Sequence, residues 1–355
     1  MVNGPGKITI NDVAKAAGVS KGTVDRVLHD RGEVSKKSRE KILKVIDELG
    51  YKPNVYASLL ASQKKHTIVC VIPEYSEGDF WSLTAKGLFE ASEAAQRYGV
   101  VVEVMTYDQY DVDSFRAACG KVLDAGPSGV VIAPMFRLET LAFVKDLVSR
   151  GIPYVYIDSK LEDDGYLAYF GMPMYQSGYL CADILTDGRN VRKVYIVRIE
   201  RDKKGHSDPT VMRRTGFMDY MTEHYPSAQI VNVFIDPKNA DAVYARLDEA
   251  FAADADADAP KMLVMFNSRI HLVADYLRER GMAGCRVVGF DVLERNLSAL
   301  RSGHVQALIA QHSDRQAAAA VNALVDSLIL GSPVPKKDNY TQMDILNRYN
   351  CEYYM

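Results

Sequence analysis

The chain has 355 residues, of which 48% are hydrophobic and 25% charged, and its formal net charge at pH 7 is −3. These values are those of a globular protein long enough for two or three domains, and they exclude a disordered chain or a fibre. The longest apolar runs fall well short of the ~20 residues of a membrane-spanning helix. The first ten residues lack the apolar core of a secretory signal, so we expect a cytoplasmic protein.

The charge is unevenly distributed along the chain. Residues 1–66 carry 13 Lys and Arg against 7 Asp and Glu, a balance of +6, which leaves 30 against 39, or −9, for the remainder. A basic segment joined to an acidic body is typical of a nucleic-acid-binding domain attached to a domain with a different partner. The five cysteines are far apart without a CxxC pair, so we expect neither a zinc site nor a disulfide framework.

Two short helices are expected first. Thr9 and Asp12 have the spacing of a capping box, which predicts a helix that ends at Gly18. Ser20 then opens a second helix of about residues 21–29.

A third helix follows the second. It is expected to begin at Ser35 and to end at Gly50, and its apolar spacing indicates four side chains that face a core: Ile42, Leu43, Ile46 and Leu49. Two helices joined by a tight glycine turn and braced by a third form a helix-turn-helix arrangement.

Strands and helices alternate from Thr67 onward. Nine apolar segments rich in β-branched residues begin with TIVCVIP at 67–73 and end with HVQALIA at 304–310, and amphipathic stretches of helical length separate most of them. This alternation predicts right-handed βαβ units with parallel sheets, and the number of units favours two adjacent lobes. The alanine- and aspartate-rich segment 252–260 is expected to be a surface connector.

No catalytic motif is found in the sequence. It lacks a GxGxxG or Walker loop at a strand end, an HExxH pair and a GxSxG elbow, so no catalytic residue, metal or cofactor is predicted. Polar residues instead close several strands: Asp158, Asp236, Asn267 and Asp291. Ligands of open α/β sheets bind outside the carboxyl ends of strands, so these side chains are expected to converge on a cleft between the lobes. The alternative is that each one simply caps the helix that follows it.

Two further features favour a binding cleft. Phe80 and Trp81 stand at an expected helix N-terminus, where a ring can stack on the apolar face of a ligand or can serve ordinary packing. Arg213, within RRTGF, offers a planar fork for hydroxyl or carboxylate groups. Carboxylates, an amide, an arginine and aromatic rings together suit a polyhydroxylated ligand.

The residues from 9 to 62 resemble the DNA-binding end of lactose-repressor/galactose-repressor (LacI/GalR) family transcription regulators. From 67 to about 344 the chain is similar to the effector domain of that family, which resembles periplasmic sugar-binding proteins, and RRTGF, VVGFD and NLSALRSGHVQALIAQ are the marker phrases. The resemblance implies an all-α helix-turn-helix domain followed by a two-lobed α/β domain. The expected segments are a DNA-binding domain at 1–52, a hinge helix and linker at 53–66, the two-lobed ligand-binding and dimerisation domain at 67–344, and a C-terminal tail at 345–355. The chain is expected to cross between the lobes near 172, at 293–305 and near 330.

The resemblance makes the helix that begins at Ser20 the recognition helix in the major groove. Lys21 and Arg26 would then read bases or phosphates. Gly22 stands where relatives often carry a longer side chain, and Asp25 would pair with Arg26 or accept a hydrogen bond from a cytosine amino group. The expected DNA-binding residues are Thr9, Asn11, Ser20, Lys21, Thr23, Asp25, Arg26, His29, Asn54, Ala57 and Leu60.

The segment NVYASLLAS is the hinge helix by this resemblance. It is shorter than the 12 to 15 residues below which an isolated helix is marginal, so it would fold only over DNA. Asn54 would cap it, Ala57 would allow close helix approach, and Leu60 would open a base step in the minor groove. Leu59 and Leu60 remain candidates for ordinary packing.

The resemblance also carries ligand contacts onto the larger domain. The expected ligand-binding residues are Phe80, Trp81, Asp158, Arg213, Asn267, Asp291 and Gln311. The phrase QHSDRQ lacks the proline that often follows this glutamine in the family, which makes Gln311 a weaker match than Asp291. The C-terminus has no heptad zipper, so a homodimer is expected.

The resemblance thus predicts a regulator whose affinity for a pseudo-palindromic operator in double-stranded DNA changes when a small molecule, a sugar or sugar derivative, changes the closure of the two lobes and so the spacing of the two DNA-binding heads of a dimer. Two other classes of protein remain as alternatives. A transport-type sugar-binding protein would share the body but would not need residues 1–62, and a sugar-acting enzyme could use the same scaffold.

Overall fold

The computed structural model of the chain describes residues 8–28, 32–51, 65–199, 210–253, 260–334 and 336–354. The chain divides into two compact units, residues 1–64 and residues 65–355. The first strand of the larger unit begins at His66, one residue before the expected domain boundary. The hinge helix and all but the last two residues of its linker lie outside the described ranges.

The smaller unit contains the three expected helices: α1 (Ile10–Ala17), α2 (Lys21–Leu28) and α3 (Lys36–Leu49). The predicted capping interaction is confirmed, because the Asp12 carboxylate accepts hydrogen bonds from the backbone N–H and the hydroxyl of Thr9, at 2.8 and 2.7 Å. Gly18 ends α1 with φ of 62°, a left-handed conformation that glycine adopts without strain.

One residue of α3 that was expected in the core of the smaller unit faces solvent instead. Ile42 and Val45 of α3 are buried, whereas Leu43, which was expected to face the core, is 50% exposed. Successive helical residues point about 100° apart, so a stripe through Ile42, Val45, Ile46 and Leu49 leaves Leu43 toward solvent.

The larger unit has two lobes, each built on one six-stranded sheet among the described residues. The strands are β1 (His66–Pro73), β2 (Val100–Tyr107), β3 (Gly129–Ile132), β4 (Tyr154–Asp158), β5 (Ala168–Gly171), β6 (Lys193–Ile199), β7 (Gln229–Ile235), β8 (Met262–Val264), β9 (Arg286–Phe290), β10 (Ala307–Ala310), β11 (Asp338–Tyr340) and β12 (Asp344–Leu346). Lobe 1 has the order β11-β5-β4-β3-β1-β2 and lobe 2 the order β12-β10-β9-β8-β6-β7. All pairs are parallel except β10 with β12, so the predicted fold class is confirmed.

Helices connect and cover these strands. They are α4 (Phe80–Gln96), α5 (Val112–Ala125), α6 (Arg137–Ser149), α7 (Met174–Thr186), α8 (Val211–His224), α9 (Ala240–Ala252), α10 (His271–Glu279), α11 (Glu294–Arg301) and α12 (Ser313–Val325). A short wider helical segment, Asp326–Leu330, extends α12, and a single 3-10 turn, Cys351–Tyr353, lies near the C-terminus. Within the described ranges, no helix has the length and apolar character needed to cross a membrane.

The chain crosses between the lobes three times, and two of the expected positions are wrong. The crossings are Met172–Pro173, Gln311–His312 and residues 341–343, because β5, α12 and β11 belong to lobe 1 whereas α7, β10 and β12 belong to lobe 2. Residues 293–305 were expected to cross, but they contain α11, which packs on α10 and β10 within lobe 2. The segment near 330 also stays in lobe 1, at the end of α12.

The last residues do not form a separate tail. Leu346 belongs to β12, and Leu346 and Cys351 are 2% and 1% exposed in the core of lobe 2. The strands β5, β11 and β12 have three or four residues each, which is too short for a clear alternating pattern in the sequence.

Helices α7 and α8 of lobe 2 pack closely through glycines. A methyl group on Gly178 of α7 would overlap the backbone carbonyl of Arg213 in α8, and one on Gly216 would overlap the carbonyl of Tyr175. The absence of these two side chains lets the backbones approach and fixes the position of α8 in the lobe.

We expect Gly178→Ala to lower the free energy of unfolding by about 1–3 kcal/mol or more, because the added carbon overlaps backbone atoms that cannot move aside. Urea midpoints from circular dichroism measure the change. Gly120→Ala in the middle of α5 is the matched control, since nothing lies within 4 Å of the added carbon. That variant should gain roughly 0.5–1 kcal/mol. Equal midpoints for the two variants would contradict the close helix packing.

Candidate functional site

A cleft of about 990 Å³ opens between the two lobes at the carboxyl ends of their strands. Asp158 ends β4 on one side, while Ile199 ends β6 and Phe266 follows β8 on the other. Gln311, the first residue of the second crossing, also lines the cleft. The strand ends therefore converge as the sequence predicted.

Lobe 1 contributes an aromatic pair and a carboxylate. Phe80 and Trp81 are the first residues of α4 and meet edge to face with ring centroids 4.9 Å apart. Trp81 is largely buried, so one ring serves mainly the core, as the packing alternative proposed. Asp158 has a positive φ of 63°, and its backbone carbonyl accepts a hydrogen bond of 2.9 Å from the hydroxyl of Tyr169. This conformation turns the chain at the strand end, and Asp158 is not the cap of a helix.

Arg213 is the central basic residue of lobe 2. Only 4% of it is exposed, and its guanidinium donates hydrogen bonds of 2.7 Å to the carbonyl of Phe266 and to the side-chain oxygen of Gln311. The guanidinium carbon also lies 4.4 Å from the centre of the Phe290 ring. Arg213 and Gln311 are thus held at the floor of the cleft.

Asp291 does not line the cleft, although it was expected to contact the ligand. It is 2% exposed and lies behind Ser268, whose hydroxyl donates a hydrogen bond of 2.5 Å to its carboxylate. Burial raises the pKa of Asp291, against the opposing effects of the Arg213 charge and of hydrogen bonds from Ser268 and Gln311. Asp291 therefore supports the residues of the cleft from behind.

Asn267 lines the cleft, whereas Asp236 does not. The Asn267 side-chain oxygen accepts a hydrogen bond of 3.1 Å from the backbone of Arg269, which orders the turn before α10. The Asp236 carboxylate accepts one from the backbone of Lys238 at 3.0 Å and shapes a local turn instead.

Several residues of the cleft were missed by sequence reasoning. They are Glu74, Glu77, Tyr110, Arg198, Arg269, His271 and Arg295. Arg198 had a detectable signal, because it is a charged residue that follows four apolar or aromatic residues near the end of β6. The others lie in turns or at helix starts, where polar residues are common and carry no positional signal.

His271 lies where the basic residues of lobe 2 gather. Burial lowers its pKa, and the charges of Arg295 and Arg269 lower it further, against a hydrogen bond with Asn296 and the charge of Asp275. The imidazole is therefore neutral near pH 7.

A hydrogen-bonded network joins the three crossings between the lobes. The backbone N–H of Thr341, in the third crossing, donates to the carbonyl of Gly171 at 2.8 Å, and its hydroxyl lies 3.0 Å from the carbonyl of Gln311. Gln316 also donates to the Gln311 carbonyl, at 2.7 Å. His312, with φ of 55°, is held by the Asp344 carboxylate at 2.8 Å and by the hydroxyl of Tyr354. We call residues Gly171, Gln311, His312, Thr341 and Asp344 the hinge cluster.

The smaller unit presents the expected polar residues at the start of α2. The backbone of Thr23 donates to the Ser20 hydroxyl at 3.2 Å, and the two hydroxyls lie 2.9 Å apart, so Ser20 caps the helix. Lys21 and Arg26 are exposed on α2, and Thr9 and Asn11 are exposed at the start of α1.

Asp25 is not fully exposed on the surface of α2. It is half-buried, and its charge, after burial itself, contributes to the raised pKa of the buried Tyr51. The expected contacts of His29, Asn54, Ala57 and Leu60 lie outside the described residues and stay predictions. In the part of the chain that is described, no three His, Cys, Asp or Glu side chains are placed to hold a metal ion.

Two family models match the chain. Residues 9–54 match that of the bacterial regulatory proteins of the lacI family, and residues 68–332 match the periplasmic binding protein domain. HTH-type transcriptional regulator DegA from Bacillus subtilis (strain 168) is 32% identical over 152 residues, which are 42% of this chain and 44% of DegA. Catabolite control protein A from Priestia megaterium is 38% identical over 149 residues, 42% of each chain. The chain thus spans less than half of the length of these two relatives.

Solved structures extend the similarity over the larger unit. A protein from Bacteroides fragilis assigned to the LacI transcriptional regulators is 33% identical, with a TM-score of 0.76 over 82% of this chain and 100% of that one. GanP, a glucose-galactose binding protein from Geobacillus stearothermophilus, has a TM-score of 0.68 at 19% identity over 81% of this chain and 99% of its own, which shows a shared fold. The chain therefore belongs to the LacI family of bacterial regulatory proteins, with a periplasmic binding protein domain as its larger part.

Proposed function

We propose that the protein is a cytoplasmic transcription regulator that binds a specific DNA operator and that a carbohydrate in the cleft changes its affinity for the operator. The observation that carries this proposal is the combination, in one chain, of an exposed basic helix-turn-helix unit with a two-lobed unit that has a cleft of about 990 Å³. A transport protein would have no use for the first unit. Binding explains the cleft without turnover, so we propose no catalysis.

The DNA contacts are proposed to lie at the start of α2. Lys21 and Arg26 are exposed there, and the cap at Ser20 leaves the first turn of the helix regular. A helix of this kind reads the major groove with its N-terminal residues, while lysine and arginine supply phosphate or guanine contacts. Asp25 is assigned a smaller role than expected, because it is half-buried beside Tyr51.

The effector is proposed to act through the hinge cluster. Gln311 links the cleft to the hinge cluster. Its side chain accepts a hydrogen bond from Arg213 in the cleft, while its backbone carbonyl lies in the network around Thr341. A ligand that contacts both lobes favours one degree of closure and thereby one set of torsions at the crossings. Only a difference in affinity between the two closures can shift the protein toward or away from DNA.

A homodimer is proposed to form along the outer edges of the lobes. β2 and β7 each form one of the two edges of their sheets, and they expose Val101, Val104 and Phe234. Phe89 on α4, which packs beside β2, is 65% exposed. Exposed apolar edge strands invite pairing, and a second copy would cover them and supply a second DNA-binding unit for a palindromic operator.

A thermal-shift screen of monosaccharides, disaccharides, sugar acids and sugar phosphates tests the ligand class, because a ligand of the folded state raises its melting temperature. Selection from a random DNA duplex pool tests for an operator. We expect at least one carbohydrate to stabilise the protein and to change operator affinity. Affinity for DNA that is indifferent to sequence at fixed salt would contradict the regulator.

We expect Lys21→Ala and Arg26→Ala each to weaken binding to the selected operator by roughly tenfold or more, since each loses a phosphate or base contact. Fluorescence anisotropy at several salt concentrations measures the loss. Loss of a phosphate contact should also reduce the slope of log affinity against log salt concentration by about 1. Loss of a base contact should instead relax the sequence preference of the protein. Lys44→Ala on α3 is the matched control, because it removes the same charge from an exposed pair with Glu48. If Lys44→Ala lowers operator affinity as much as the two α2 variants do, the binding depends on the total positive charge and not on contacts of α2.

We expect Thr341→Val to reduce the effect of the carbohydrate on operator affinity several-fold while ligand binding itself persists. The variant keeps the side-chain size but removes the hydroxyl that lies 3.0 Å from the Gln311 carbonyl. Typical coupling energies of about 1–3 kcal/mol leave room for such a loss. Operator titrations with and without ligand give the coupling. Thr222→Val is the control, because its exposed hydroxyl donates to the Met218 carbonyl within α8, away from the crossings. Unchanged coupling in Thr341→Val would exclude the hinge cluster as the link.

A further inference from the structure

The charged residues of the cleft are separated by lobe. Among the described residues that line it, those of lobe 1 include four carboxylates and no basic side chain: Glu74, Glu77, Asp79 and Asp158. Lobe 2 contributes four arginines against the single carboxylate of Glu294: Arg198, Arg213, Arg269 and Arg295. A ligand in this cleft therefore meets an acidic wall on one side and a basic wall on the other.

Arg269 differs from the other three arginines. Arg213 donates to Phe266 and Gln311, Arg295 pairs with Asp275 at 3.0 Å, and Arg198 lies 5.1 Å from the ring centre of Phe234. The Arg269 guanidinium has no hydrogen-bonding or ionic partner within the described ranges, although the residue is half-buried in the cleft wall. Its five donors are therefore available to a ligand.

The surroundings of Arg269 strengthen its attraction for an anion. His271 and Arg295 lie close enough for the charges of both arginines to act on the imidazole, and all three residues line the cleft. Asp275 offsets only part of this charge, because it is shared between Arg295 and Arg278 at 3.0 and 2.8 Å. A partly desolvated guanidinium beside a second one binds carboxylate or phosphate through short, charge-assisted hydrogen bonds.

We propose that the effector is a polyhydroxylated molecule that carries an oxyanion, either a carboxylate or a phosphate, and that Arg269 binds this group. This inference rests on the proposed function of the cleft as a carbohydrate site. The acidic wall of lobe 1 repels the oxyanion and keeps it on lobe 2. Hydroxyl groups at the other end of the ligand donate hydrogen bonds to the carboxylates of lobe 1, so both lobes contact one molecule and closure orients it.

The test measures affinities by isothermal titration calorimetry, with the fluorescence of Trp81, the only tryptophan, as a second signal. The probes are D-glucose and D-galactose, their acids D-glucuronate, D-galacturonate and D-gluconate, D-glucose 6-phosphate, and D-glucosamine. We expect at least one anionic probe to bind roughly tenfold or more tightly than its neutral parent, and its affinity to fall as salt rises. The carboxylate and phosphate probes separate the two sources of the oxyanion.

Variants locate the contact. Arg269→Gln should weaken the anionic probe roughly ten- to hundredfold and leave the neutral parent unchanged. Arg269→Lys keeps the positive charge but loses the planar guanidinium, so its affinity for the anionic probe should lie between those of the wild type and Arg269→Gln. Arg246→Gln is the matched control, because it removes the same charge from an exposed pair with Glu249 on α9, outside the cleft lining. Both Gln variants should melt close to the wild type, since neither residue is buried in the core.

Three results would overturn the inference. Equal affinities of acids and neutral parents, with no effect of Arg269→Gln, would leave a carbohydrate regulator with a neutral effector. If only D-glucosamine binds tightly, the ligand carries a positive charge that the carboxylates of lobe 1 bind, and Arg269 has no oxyanion to bind. Failure of every probe, with sequence-specific DNA binding intact, would remove the carbohydrate from the proposed function as well while the DNA-binding part stands.

Discussion

The hydrogen bond from Arg213 to Gln311 connects the parts of the larger unit that matter for function. A buried guanidinium is costly unless its donors are paired, and Arg213 donates to the Phe266 carbonyl and to the Gln311 side chain, both at 2.7 Å. Its Nε is buried without a hydrogen-bond partner among the described residues. Phe266 follows a strand of lobe 2, whereas Gln311 begins a crossing to lobe 1. The need to hydrogen-bond the buried Arg213 guanidinium therefore fixes the floor of the cleft and one end of the hinge cluster together.

The separation of charge between the walls adds a long-range force to this local constraint. Opposite charges on facing walls attract each other, and salt screens this attraction where the walls are exposed. A ligand oxyanion on Arg269 would neutralise part of the basic wall, while hydroxyls would replace water on the carboxylates of Glu74 or Glu77. Such a ligand would replace a diffuse attraction with hydrogen bonds of fixed length, and we expect it to set how far the lobes close.

Sequence reasoning succeeded where a local pattern is sufficient and failed where distant contacts decide. Strand ends such as Asp158 and Asn267 reach the cleft because parallel strands must end at one edge. Asp291 ends a strand in the same way, yet burial behind Ser268 removes it from the surface, and no pattern encodes that depth. The second crossing was misplaced at 293–305 because α11 looks like any connecting segment until its packing on lobe 2 is known. Arg269 was missed because its proposed role depends on its having no side-chain partner among the described residues, which a sequence pattern does not reveal.

The C-terminal residues of lobe 2 also support the hinge cluster. His312 follows Gln311 with φ of 55°, a conformation that costs a residue with a side chain about 1 kcal/mol or more. Asp344 and Tyr354 hydrogen-bond its ring at 2.8 and 2.9 Å and hold it in place, while Cys351 anchors the intervening segment in the core. The strained turn at the second crossing is thus maintained by the last residues of the chain. Substitutions there would change how the lobes close, even though none of those residues lines the cleft.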